Sequence, residues 1–284
     1  MTEVLNLKRL FILISRHWFE NRKAYLLFFL SIGAFLLGWF SFLLFVVRKL
    51  GLFDESGQAA IYFFGLFLAG CLSASFLFQD FSGKPRTSNY LLLPASAFEK
   101  LLCVLFYGII IFFLGYSLMF YIADFAAIKM AKNIYTFDWQ RKHGYVNFYH
   151  TFKSINTFSL NPDMFVFYPG DNIDFYTAFF PIQSSFILGA VYFKKNGFIK
   201  TLVALLSIWL IFLILESRIL FQSLPAETKT ANAFTAYLIP DVYGYDRLVT
   251  LPEWVYHLVL FVARFCITPV LWVATYFRLK EKEL

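Results

Sequence analysis

Few residues in this chain have types and spacings suited to chemistry, and the first to weigh are Ser96 and Glu99. Three positions apart and followed by an apolar run, they match a capping box. The serine side chain accepts from the backbone three residues on, and the glutamate reaches back to the serine N–H. That chemistry starts a helix. Arg264 is of another kind, lying ten residues beyond Trp254 inside an apolar run, or about 15 Å down a helix. A charge at that depth costs between about 3 and 10 kcal/mol unless it is paired or hydrated. Two readings stand: contact with an anionic group or a gating hinge beside Pro269, or a structural pair with Glu216, Asp124 or free carbonyls. Regular helical spacing places His257, Phe261, Arg264 and Thr268 on one face. Glu216 and Arg218 either pair with each other or mark a re-entrant turn.

Catalytic constellations are weak. His143 and His150 flank no metal-type spacing, although Asp138 is near them in sequence, and they read as surface histidines. The chain has no G-x-S-x-G nucleophile turn. Gly83-Lys84-Pro85 lacks both the upstream glycine and the helix-starting Ser or Thr of a phosphate-binding loop, so phosphates find no cradle. No enzyme activity and no bound cofactor are expected of this chain, and any ATP hydrolysis belongs to a partner. Cys71, Cys103 and Cys266 all fall in apolar runs and are odd in number, which reads as core packing and not a disulfide framework.

The elements that must position these residues are apolar spans. Residues 24–47 carry no charge over 24 positions, and a helix of that length reaches about 36 Å, enough to cross a hydrocarbon core of roughly 30 Å. The whole chain is 60% hydrophobic and only 15% charged, against about 25% charged in soluble domains. Further runs cover residues 59–78, 101–122, 175–193, 198–215 and 254–277, giving six spans in one all-α polytopic membrane domain, residues 1–284. The early basic residues and the missing small-residue cleavage site argue that the first span is retained.

Loop charge sets the orientation. With six spans, the side holding both termini carries 14 of the 25 Lys and Arg residues, although the other side holds the two longest loops. Lys and Arg near span ends mark the cytoplasmic face, so the termini are expected in the cytoplasm. The net charge of +7 then reflects topology, with no call for nucleic acid. Val4, Leu7, Phe11, Ile14 and Trp18 form one apolar stripe, predicting an amphipathic interfacial helix over residues 4–23; the alternative is that these residues extend the first span as one long helix. Residues 123–174 read as a small extracytoplasmic insert with short strands and turns. Part of residues 216–253, interrupted by Pro225, Pro240 and Pro252, is expected to re-enter the outer leaflet. On the cytoplasmic side, Tyr90, Leu91, Leu92 and Leu93 form an apolar patch beside Lys84 and Arg86, which either docks a soluble partner or lies against the bilayer.

With its LLLPAS-x-x-EK string between the second and third of six spans, behind an amphipathic N-terminal helix, the chain resembles the permease subunit of ABC-2-type ABC transporters. The likeness is strongest to the form common in Bacteroidetes. The resemblance implies a homodimer in the bacterial inner membrane, multi-pass with cytoplasmic termini, moving a substrate outward. It implies a separate ATP-binding cassette subunit, carrying ATP and Mg, that docks on the first cytoplasmic loop. Tyr90, Leu91, Leu92, Leu93, Pro94, Ser96, Glu99 and Lys100 would form the coupling surface with parts of the N-terminal helix. Arg264 and Glu216 stand apart, read from the chain alone as the intramembrane charges. The long insert after the third span departs from simple members, in which the large external insert tends to precede the last span. Two other classes stay open: a non-transporting membrane anchor or sensor whose aromatic external loop binds a partner, and a polytopic enzyme acting on lipid.

Overall fold

The computed structural model describes residues 5–45, 55–77, 95–143, 154–155, 157, 172–193, 196–223, 229–232, 236–240, 246–250 and 253–283. Helices dominate. Helix α1 (Leu7–Phe45) is followed by α2 (Glu55–Phe76); α3 (Ala97–Leu105) passes through a π turn (Phe106–Ile111) into α4 (Phe112–His143). Then come α5 (Asn172–Tyr192), α6 (Gly197–Ser223), and α7 (Glu253–Phe261), which continues through a second π turn (Val262–Cys266) into α8 (Ile267–Glu283).

Five of the described helical segments are long and apolar enough to cross a membrane: α1, the second helix from Gly57, the α3–α4 rod, α6 to Leu215, and the last helix from Val262. Large apolar side chains stand exposed along them, including Leu27, Leu30, Leu118 and most of α6 from Ile208 to Leu215. Helices apolar on all sides are stable only where lipid covers them. This is a helical, multi-pass membrane architecture, all-α but for one small sheet after α6.

Helix α5 follows a different rule. It carries Pro181, Gln183, Ser184 and Ser185, and it packs against α2, α6 and α8 at the middle of the bundle. Its polar atoms are satisfied inside protein: Ser185 donates to the Pro181 carbonyl, and buried Gln183 donates to the Gly108 carbonyl. Asn196, with φ 53°, turns the chain back into α6, a left-handed conformation that asparagine tolerates better than most residues.

The core falls into two layers. One joins Ile32, Leu36, Phe40 and Leu44 of α1 with Tyr62 and Leu66 of α2, Tyr116 and Phe120 of α4, and Phe179 of α5. The other joins Leu13 near the start of α1, Leu77 just past α2, Ala97 at the start of α3, Val191 at the end of α5 and Leu279 at the end of α8. Lys282 reinforces this second layer by donating to the Val191 carbonyl at 2.6 Å, where a cation meets the open carbonyls of a helix C-terminus.

Three expectations change. The N-terminal amphipathic segment and the first span are one 39-residue helix, about 58 Å long, with no turn near residue 23. Nothing there breaks a helix, since Asn21-Arg22-Lys23-Ala24 contains neither Gly nor Pro. The insert expected over residues 123–174 begins as helix, because α4 carries on to His143; the strands and turns expected at residues 145–149, 161–163 and 168–171 lie outside the described residues. Within residues 216–253, where re-entry was expected, α6 runs to Ser223 and an antiparallel three-stranded sheet follows: β1 (Lys229–Asn232), β2 (Ala236–Pro240) and β3 (Asp246–Thr250). Tyr237 pairs with Val249 and Leu238 with Leu248. Such a sheet pairs its own backbone groups and so has no need of the bilayer.

Candidate functional site

Ser96 is the N-cap of α3 and the capping box is complete: Glu99 N donates to Ser96 Oγ at 3.2 Å, and Ser96 N donates to Glu99 Oε2 at 2.9 Å. Glu99 does more than cap. Its Oε1 accepts from the backbone N–H of Asn6 at 2.7 Å and from Arg9 Nη2 at 3.1 Å, while its side chain is wholly buried. Asn6 in turn caps α1, its Oδ1 accepting from Lys8 N at 3.0 Å and Arg9 N at 3.4 Å. The beginnings of two helices, each with outward N–H groups and a positive dipole end, therefore converge on one carboxylate. Lys100 beside it is also buried, 1% exposed. Of the sequence-predicted coupling residues, Ser96, Glu99 and Lys100 sit at this junction; Tyr90, Leu91, Leu92, Leu93 and Pro94 lie outside the described residues.

Two turns along α1 the junction continues as an aromatic stack. Tyr25 lies parallel to Trp18 and to Tyr107, with ring centroids 6.3 and 5.4 Å apart. His17 Nε2 meets Tyr25 Oη at 2.7 Å, and Tyr107 donates to the Ile14 carbonyl at 2.7 Å. Tyr107 belongs to the first π turn, whose widened ladder leaves the Gly108 carbonyl to Gln183, and π turns concentrate at functional places. Between α1, the end of α2 and this turn opens a cleft of about 550 Å³.

The helical face expected around Arg264 is where the structure differs from the sequence reading. Arg264 sits in the second π turn, half-buried and close to α5. That turn breaks the single face: His257 and Phe261 are exposed, whereas Thr268 is buried. Pro269 explains the local widening, since its ring clashes with the carbonyl four residues back and it has no N–H to give. Glu216 belongs to α6, but its side chain is outside the described residues. Asp124, a partner considered for Arg264, instead accepts a hydrogen bond from Ser154.

Sequence reasoning missed a polar network in the other core layer. Tyr116 donates to the Tyr62 carbonyl at 2.7 Å, Tyr62 Oη meets Ser117 Oγ at 3.2 Å, and Tyr176 donates to the Thr157 carbonyl at 3.1 Å. Tyr121 Oη joins Thr157 Oγ1 at 2.7 Å. The network ties Thr157 to α4, as the Asp124 contact does Ser154. One signal was available: Val104, Gly108, Phe112, Tyr116, Phe120 and Asp124 recur at every fourth residue. In a straight α-helix each such step overshoots a full turn by about 40°, so a stripe that stays on one core needs a local change of pitch.

Among the described residues no cluster of His, Cys, Asp and Glu is placed to hold a metal ion. Compared with known proteins, the chain matches no protein-family model, no curated protein and no solved structure.

Proposed function

We propose that this chain is the membrane-spanning permease subunit of an ATP-driven transporter of the ABC-2 type, working outward as a homodimer in the bacterial inner membrane. A separate ATP-binding cassette subunit, with its ATP and Mg, docks on the segment from Tyr90 to Lys100 and on the start of α1. The observation that carries this reading is the Glu99 junction. A partner pushing on the loop before Ser96 would move α1 and α3 together, because both helix starts hold the same buried carboxylate.

Six crossings with both termini in the cytoplasm accord with the second core layer. There the starts of α1 and α3 meet the ends of α2, α5 and α8, as alternate up and down passes require. Helix α5 then counts as a crossing whose polar residues face protein. The excess of Lys and Arg assigned to that side gives the orientation.

The test is purification of the full chain in mild detergent from its native membrane, with identification of co-purifying proteins and an assay of MgATP hydrolysis. A stoichiometric soluble ATPase is expected, and Leu92→Asp combined with Leu93→Asp should release it while the chain still inserts. A chain that emerges without an ATPase, or a double variant that keeps full stimulated hydrolysis, would overturn the assignment in favour of a membrane anchor or sensor.

A further inference from the structure

The two π turns of this chain are held differently. In the first, Tyr107 and Gly108 are buried, and the Gly108 carbonyl is taken by Gln183. In the second, Val262–Cys266, no residue is buried, and Val262, Ala263 and Phe265 are exposed. Packing and a hydrogen bond together fix the winding of the first turn. The second lies open on three of its five residues and lacks that packing.

Thr268, just beyond the second turn, registers the cost of its wide winding. Ser75, Ser185, Thr201, Ser207 and Thr275 each donate to the carbonyl four residues back, the usual resting place of a hydroxyl on a helix. For Thr268 that acceptor is the Arg264 carbonyl, inside the π turn. Thr268 Oγ1 is instead buried with no partner among the described residues. A buried hydroxyl left so is costly, and regular α winding would bring the Arg264 carbonyl beneath it. Pro269 pulls the other way, since it has no N–H for the Phe265 carbonyl and its ring clashes there in a regular helix. Two adjacent residues therefore favour opposite windings of one turn.

The pieces on either side are unequally anchored. In α8, Thr275 and Leu279 are buried, the Tyr276 ring meets Phe98 edge-on at 6.3 Å, and Lys282 donates to the Val191 carbonyl. Helix α7 packs closely on no described element except the π turn, and its Trp254, His257, Leu258 and Phe261 are exposed.

We infer that the second π turn is a two-state joint, which converts between π and α winding and so turns α7 about α8. The change adds the angle of one residue, about 100°. Arg264 lies within the turn and moves with it relative to α5, while α8 keeps its place in the second core layer. The joint repositions the end of the last helix remote from the Glu99 junction, and it stands whether or not the chain transports anything.

The test is fluorine NMR of the full chain in detergent, with 4-trifluoromethylphenylalanine replacing Phe261 at the end of α7. Two resonances, or one averaged resonance, are expected, and two substitutions should drive them in opposite directions. Pro269→Ala removes the ring and restores an N–H, so the α form should become the major one. Thr268→Val removes the hydroxyl that gains a partner only in α winding. It should lower the α population about fivefold, the worth of one net hydrogen bond, whereas Thr268→Ser should match the parent. The same label replacing Phe277, on the anchored piece, should give one unmoved resonance. A signal at position 261 that neither Pro269→Ala nor Thr268→Val alters, a Thr268→Ser variant that behaves as Thr268→Val, or an equal change at position 277 would each overturn the inference.

Discussion

The backbone N–H of Asn6 donates to the carboxylate of Glu99 at 2.7 Å across 93 positions of chain. Glu99 is also the N3 residue of α3. One buried anion thus answers the open donors of two helix N-termini, with Arg9 as counter-charge. A lone capping box fixes where one helix begins; this arrangement also fixes where α1 begins relative to it.

Glu99→Gln keeps the size of the side chain and removes its charge, which both helix dipoles and Arg9 favour. The expected loss is about 1–2 kcal/mol, read as a lower melting temperature of the purified chain in detergent. Arg9→Ala should cost less, because its side chain is 40% exposed and solvent screens the pair. A Gln variant as stable as the parent would remove the charge from this account.

Gly189 lies where α5 and α6 touch. A Cβ there would sit 2.8 Å from Thr201 Cβ, and Thr201 is itself fixed by donating to the Gly197 carbonyl at 2.7 Å. Rotating the hydroxyl away cannot relieve a clash with Cβ, so the helices must part. Gly189→Ala is expected to destabilise the chain by about 1–3 kcal/mol. Adding Thr201→Gly should recover much of that loss, as a double-mutant cycle of melting temperatures would reveal.

The spans and the start of α3 were legible because an uncharged run of bilayer length and a capping box are local signals. The partners of Glu99 were not, since Asn6 and Arg9 lie at least 90 positions away and no periodicity links them. Periodicity also left open whether the amphipathic stripe through Trp18 ends in a turn; only the lack of a Gly or Pro near Lys23 pointed to one long helix. The β1–β3 sheet was obscured by Pro240 and by apolar residues that equally suit an interfacial turn. For Asp124, the decisive contact comes from Ser154, 30 positions away, a placement set by tertiary packing.

Asp124 is fully buried, and only its Oδ2 has a donor, Ser154; Oδ1 meets none among the described residues. A half-satisfied carboxylate in a buried place is costly. Asp124→Asn keeps the acceptor for Ser154 and removes the charge, so it should raise the melting temperature. Ser154→Ala takes away that donor and should lower stability by about 1–3 kcal/mol. If Asp124→Asn instead weakened the fold, the charge itself would be in use.

The π turn at Phe106–Ile111 takes one residue more per hydrogen-bonded loop than an α-turn. An extra residue spread over such a turn lets Ala97–Leu105 and Phe112–His143 keep their phase on either side. Removing exposed Ile110 should therefore convert the segment to regular α-helix without rotating Tyr116 and Phe120 out of the core. The cost should fall on Gly108, whose carbonyl would return to the helix ladder and leave buried Gln183 without its acceptor. The deletion is expected to insert and fold with a modest loss of about 1–3 kcal/mol, and adding Gln183→Leu should recover part of it. In the parent background, Gln183→Leu alone should destabilise, because there the widened turn still presents its carbonyl. Measuring all three variants by thermal unfolding separates the two cases. If the deletion prevents folding outright, the turn is setting the phase of α4 and not merely absorbing a residue.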